Sequence, residues 1–334
     1  MILRLFRLYQ PFTVFLILLM AAALWMYSFL HTNTILVQLP DSLMPLYKWV
    51  NSLVGENKFL NTFLAFTLLT IEALLLSRLN KKFIFINART YLPSIIFVLI
   101  SFGFLPLHAL HPVHFGILFL LLSINSLLKT YRREQLTYGI FEAAFALSIG
   151  SFFYGKLLFF IVFIWIGIII LRPLYWREWF YSIIGIVLPY LFLFTYYYVF
   201  QDEPGKLINI LTENLFGPRI SYTFQLHELI FLAYLLLLII VSSLFMLQVF
   251  RIKKIHSRKF FSLFFWLFLC AVAIYYIIPS TSFYIYFIAA VPVSILLGHY
   301  FAITKQKKVA NFFLLLLLFI IVFLQLSYIY GVLT

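Results

Sequence analysis

Eleven apolar runs, at about 11–31, 60–77, 91–107, 114–128, 137–151, 157–171, 179–200, 226–250, 260–278, 283–302 and 309–330, confine this chain to folds that live inside a membrane. Crossing about 30 Å of hydrocarbon takes roughly 20 apolar residues, and most of the runs comply. A helix satisfies its own backbone hydrogen bonds in lipid, so each run reads as a transmembrane helix. The connections between runs alternate in charge. Nineteen of the 24 Lys and Arg residues fall in every second one: Arg4 and Arg7; Arg78, Lys81, Lys82 and Arg89; Lys129, Arg132 and Arg133; Arg172 and Arg177; Arg251, Lys253, Lys254, Arg258 and Lys259; Lys305, Lys307 and Lys308. The remaining connections hold Lys48, Lys58, Lys156, Lys206 and Arg219, together with six of the ten acids. Basic loops stay in the cytoplasm. The pattern predicts an all-α, eleven-span integral membrane protein, amino terminus cytoplasmic and carboxyl terminus outside.

With 65% hydrophobic and 10% charged residues, and no polar stretch long enough to bury a core, residues 1–334 read as one polytopic domain. The net charge of +14 is then a topology signal, and no nucleic-acid partner is expected. The fifth and sixth runs are short. One re-entrant unit there would put the basic loop at 251–259 outside, so two spans are expected. The first run is too long for a signal-peptide core and has no small-residue cleavage site near its end. Cys270, the single cysteine, sits inside a span, which leaves no disulfide or thiolate metal site.

No Walker loop, Gly-x-Gly-x-x-Gly cradle, His-Glu-x-x-His or Gly-x-Ser-x-Gly is present, and no cofactor or metal is called for. Ionisable groups inside spans are costly and mark candidate sites. Glu72 and Glu142 read as interhelical ion pairs or as members of a proton path. Asn125 and His299 lie near cytoplasmic helix ends and read as structural.

The outer connections carry the remaining candidates. Pro106-Leu107-His108-Ala109-Leu110-His111-Pro112-Val113-His114 spaces three histidines by three, which on a helix would gather them on one face, although Pro112 interrupts such a helix. They read as the lining of an interfacial cavity, as a metal site lacking a fourth ligand, or as membrane-edge histidines. In the first outer loop Leu43, Leu46, Tyr47, Val50, Leu53 and Val54 recur at helical spacing, with Asp41 and Ser42 as start signals and Gly55 as a stop. This predicts an amphipathic helix in the outer interface, with Asp41 as its N-cap or as an acid facing a cavity. In the loop from Gln201 to Gln225, Lys206 and Arg219 are placed to hold a phosphate or to balance Asp202 and Glu203 in a solvated turn.

The order of these features resembles the GT-C superfamily of polyprenol-phosphate-sugar glycosyltransferases over about residues 11–303. The resemblance rests on the first span, the outer helix with an acid near its start, and the span closing on Ser77-Arg78-Leu79-Asn80-Lys81-Lys82-Phe83. It also rests on the small-residue span around Phe141-Glu142-Ala143-Ala144 and the tyrosine-and-proline span from Tyr286 to Gly298. It implies Asp41 as base. The chain departs from the pattern in lacking a second outer acid near the third and fourth spans, and in reading Pro279-Ser280-Thr281-Ser282 where an Arg would precede the late tyrosine. Arg172-Pro173-Leu174-Tyr175-Trp176-Arg177-Glu178-Trp179 is similar to an element of a family of eleven-span bacterial envelope proteins.

Sugar transfer from a membrane-anchored phosphate needs a lipid groove, an outer acid to take the acceptor proton, and cations to hold the departing phosphate. Asp41 as base, His108, His111 and His114 as cavity lining, and Lys206 with Arg219 on the phosphate would meet those needs. The expected function is envelope glycan or glycolipid assembly with a polyprenol-phosphate lipid as partner. The rivals are a non-catalytic subunit among other envelope membrane proteins, and a lipid or solute transporter. The first pair is separated by whether Asp41 shares a cavity with the histidines, and the transporter by whether Glu72 and Glu142 face one water-filled path.

Overall fold

A computed structural model describes residues 11–30, 42–55, 57–86, 90–101, 108–131, 138–172, 175–201, 204–218, 222 and 224–333. Among these residues there is no strand, and the architecture is a helical bundle. In chain order the helices are α1 (Pro11–Leu30), α2 (Pro45–Val54), α3 (Lys58–Phe83), α4 (Leu92–Ser101), α5 (Pro112–Lys129) and α6 (Tyr138–Ser151). Next come α7 (Ile161–Leu171), entered through a 3₁₀ turn at Gly155–Phe160, α8 (Trp176–Phe200) and α9 (Pro204–Phe216). The last are α10 (Leu226–Phe250), α11 (Ile255–Ile277), α12 (Tyr286–Ile303, entered through a 3₁₀ turn at Phe283–Ile285) and α13 (Lys307–Leu333). Seven helices are long and apolar enough to cross a membrane, which makes this a multi-pass membrane protein.

The local signals act where chemistry predicts. Asn57 caps α3, its side chain accepting from the Leu60 N–H at 3.1 Å, and Gln225 with Glu228 forms a capping box on α10. Gly55 ends α2 with φ of 58°, a left-handed value glycine adopts without strain. Ser42 does not start α2. The helix begins at Pro45 behind Met44, and the Ser42 carbonyl instead accepts from Asn214 Nδ2 at 2.8 Å.

Lipid supplies no hydrophobic drive between helices, so close packing must hold them, and small residues mark the closest approaches. At the centre α12 is mostly buried and lies against α4, every residue of which is buried. A Cβ on Gly298 would stand 2.9–3.1 Å from Pro93. Likewise α6 is gripped between α5 and α8, where a Cβ on Gly185 would meet Ala144 Cβ and the Phe141 carbonyl, both at 2.8 Å.

The short segments at 138–171 run in opposite directions through the depth of α5. Gly139 abuts Thr130 at the end of α5, whereas the Phe152 carbonyl accepts from Leu46 N–H of α2 at 3.1 Å. The chain then returns, with Gly167 against Leu127 and Leu263. At the next turn Arg172 Nε pairs with Glu178 Oε1 at 2.9 Å, and Trp165 donates to Ser182 Oγ, which closes the α7–α8 joint.

Lys82, Lys129 and Lys254, from three of the basic connections, line one space at one end of the bundle, where Lys82 donates to Asn125 Oδ1 at 2.9 Å and Lys129 lies 4.0 Å from Glu142. Residues from the sparse connections meet at the other, where Tyr47 donates to the Leu110 carbonyl at 2.9 Å and Ser280 to the Asn214 carbonyl at 3.0 Å.

Candidate functional site

Pro112 decides where the histidine segment sits. Lacking an N–H, it starts α5 rather than continuing a helix, and His111 becomes the N-cap, its Nδ1 accepting from the Val113 N–H at 3.2 Å. The three histidines therefore do not share one helical face. His108 lies in the connection, His111 at the cap and His114 in the first turn of α5. Just before this helix the Leu110 N–H donates to Asn61 Oδ1, in the first turn of α3, at 2.6 Å, and Trp25 of α1 stacks on His108 at 4.5 Å. All three histidines are 2% exposed or less, so the membrane-edge reading does not describe their surroundings.

Each imidazole has its own environment. His108 Nδ1 lies 2.5 Å from Ser28 Oγ. His111 stacks on Tyr284 at 3.7 Å and approaches Tyr154 edge-on at 6.3 Å. Burial, then the charge of His114, lowers the pKa of both residues in this connection, His108 to about 3. Burial thus favours the neutral imidazole at both positions. Since His111 Nδ1 accepts a hydrogen bond, its proton resides on Nε2.

His114 reaches the acid. Its Nδ1 lies 3.5 Å from Glu72 Oε1, both side chains fully buried, with Phe287 edge-on to the imidazole at 5.1 Å. The gap exceeds an ordinary hydrogen bond, and no other hydrogen-bond partner reaches either side chain among the described residues. Lys156, 5% exposed, holds its ammonium 5.9 Å over the Tyr154 ring and acts electrostatically on His111. A carboxyl group, three imidazoles, an ammonium and the Tyr47, Tyr154 and Tyr284 rings thus form one buried polar layer. Among the described residues no three His, Cys, Asp or Glu side chains form a metal-ligand group.

A second feature adjoins this layer. Between α10 and α11, floored by α12, run two apolar cavities of about 450 and 420 Å³ that share Ile239 and Phe268 as lining. The segment from Phe283 to Phe287 separates them from the polar layer and presents a face to each. Tyr284 and Phe287 touch His111 and His114, whereas Phe283 and Tyr286 line the outer cavity.

The remaining candidates are scattered. Asp41 and Arg219 lie outside the described residues. Lys206 is exposed on α9, where its charge acts on Tyr197 of α8. Glu142 sits at the basic end, hydrogen-bonded by Tyr138 and near Lys129, whereas Glu72 is fully buried. His299 is fully buried between Phe245 and Phe261. Lys156 was visible in sequence only as one of five sparse outer cations, and nothing local marked it for burial beside His111.

The chain matches no protein-family model, no curated protein and no solved structure.

Proposed function

We propose that this is an eleven-span protein of the bacterial inner membrane, amino terminus cytoplasmic and carboxyl terminus periplasmic, that transfers sugar from a polyprenol-phosphate donor at its outer face. The resemblance to GT-C enzymes supplies the reaction class, and the two-faced segment Phe283–Phe287 is the observation that carries it. An apolar groove open toward the lipid ends against a buried polar layer, which is the arrangement a long-chain lipid with an anionic head requires. In this reading the prenyl chain lies between α10 and α11 and the phosphate sits by Lys156 and His111. The acceptor hydroxyl oxygen attacks the anomeric carbon, the bond from that carbon to the phosphate oxygen breaks, and polyprenyl phosphate leaves.

The acceptor proton goes to an acid on the outer side. Asp41 takes that role as the resemblance implies, and the buried pair of Glu72 and His114 accepts the proton onward. Ionisable groups held this deep in lipid cost several kcal/mol, which favours a functional reason for keeping them. Lys206, exposed on α9, and Arg219 are assigned to receive the anionic head before it enters.

The test is turnover. Protein in lipid nanodiscs, given a mixture of polyprenyl-phosphate sugars and envelope glycan acceptors, is expected to release polyprenyl phosphate. Absence of release with every donor, together with co-purification of one defined set of membrane proteins, would put the non-catalytic subunit in front. One feature favours that second reading. α8 buries little of its length and turns Phe180, Ile184, Val187, Leu191 and Phe192 outward, a face that another membrane helix could cover.

A further inference from the structure

The two apolar cavities between α10 and α11 follow one another along the same helix faces. On α10 the lining runs through Leu232, Leu236, Ile239, Ser243, Leu247 and Phe250, each three or four residues from the next, so a single stripe of that helix walls both cavities. The floor on α12 repeats the spacing with Tyr286, Ala289, Val293 and Leu296, and only the methyl group of Ala289 stands on that stripe between Tyr286 and Val293. Ile239 and Phe268 line both cavities and so mark their junction. Ile239 lies at the middle of α10, which places the junction near the middle of the membrane.

The stripe on α10 extends about 27 Å at 1.5 Å per residue. Hydrocarbon in a bilayer is about 30 Å thick, so a lipid rooted in one leaflet has about 15 Å to fill and ends near the junction. Lipid is as apolar as the groove, and hydrophobicity gives a chain no reason to leave the bilayer for it. What holds a chain is the sum of close contacts along its length. With cavities of about 450 and 420 Å³, half of those contacts lie beyond the junction.

We propose that the groove selects its lipid by chain length. The occupant is one polyprenyl chain longer than a leaflet, its head at the polar layer, its chain passing between Ile239 and Phe268 into the inner cavity. Ser243 and Ser262, two small side chains in the inner lining, leave room for the far end. This rests on the reading above that the head lies beside His111 and Lys156, and it assigns the discrimination between lipids to the inner half of the groove.

The experiment reads binding and needs no turnover. Full-length protein is reconstituted in phosphatidylcholine vesicles holding farnesyl phosphate and undecaprenyl phosphate in equal amounts, then extracted, and the retained lipid is measured by mass spectrometry. The two probes share a phosphate head, and the farnesyl chain ends within one leaflet. Wild type is expected to retain the long chain over the short one by about tenfold or more. S243F/S262F fills the inner cavity and is expected to bring the ratio within about twofold by lowering undecaprenyl retention alone. S262F by itself, the fallback if the double variant does not fold, should move the ratio in the same direction. Equal retention by wild type, an unchanged ratio in the variants, or an equal fall for both lipids overturns the length selection and leaves the head site standing. Retention of neither lipid by wild type overturns the head site and the selection with it.

Discussion

Glu72 of α3 and His114 of α5 face each other at 3.5 Å, both fully buried, and this contact is the one place where carboxylate and imidazole meet among the described residues. Replacing Glu72 by Gln keeps its shape and removes its ability to carry a proton. Turnover of a polyprenyl-phosphate sugar is expected to fall by about 100-fold or more, the scale of a lost acid–base group. A double-mutant cycle of Glu72→Gln and His114→Asn, read by thermal unfolding in detergent, should give a coupling of about 1 kcal/mol or more. Additive effects in both measurements would show that the two side chains act separately.

The Asp41 carboxyl is assigned by resemblance, and its substitution is chosen to spare structure. Asn is as good a helix cap as Asp, so Asp41→Asn should keep expression and folding while lowering turnover by about 100-fold. Wild-type turnover in this variant would remove Asp41 from the chemistry.

Close packing makes a separate prediction. Gly298→Ala sets a methyl group 2.9–3.1 Å from the Pro93 ring and backbone, where α12 and α4 have no room to part. The expected cost is about 1–3 kcal/mol in thermal unfolding. Gly205→Ala, with nothing within 4 Å of the new Cβ, should change stability by no more than about 0.5 kcal/mol. Equal shifts for the two would contradict the packing.

Orientation can be read directly. Reporters fused after Thr334 and near Gly205 should register the periplasm, and one near Lys254 the cytoplasm. A cytoplasmic carboxyl terminus would mean an even number of crossings.

Helix α2 divides its faces more finely than its sequence indicated. Tyr47 and Val54 are buried, whereas Leu53 turns outward beside Trp49, at 64% and 63% exposure. A spin label at Ser52 should report an interfacial environment. It should shift to a water-like one in Trp49→Asp/Leu53→Asp, because that pair supplies the lipid-facing apolar area. An unchanged signal would place α2 away from the interface.

What the sequence disclosed is what depends on neighbours in the chain. Hydropathy located the long helices, Gly55 marked a stop, Pro112 marked a break that proved to be a helix start, and the alternation of lysine and arginine sorted the connections into two groups. What it hid depends on distance. Ser42 looked like a helix start, yet Asn214, far along the chain, takes its carbonyl. Glu72 was expected to pair between helices or join a proton path, but naming His114 as its partner required knowing how α3 and α5 pack. The histidines were recognisable as a group and their burial was not, since it follows from the packing of α1, α3 and α12 around a short α5.

The central claim is that one lipid molecule bridges the apolar groove and the buried polar layer. A cryo-electron microscopy map of the full-length protein in nanodiscs containing polyprenyl phosphate tests it most directly. The account predicts tubular density between α10 and α11 along Ile239 and Phe268, passing Tyr286 and ending in a phosphate beside His111 and Lys156. A filled groove whose lipid head lies in the outer interface, away from the histidines, would contradict it.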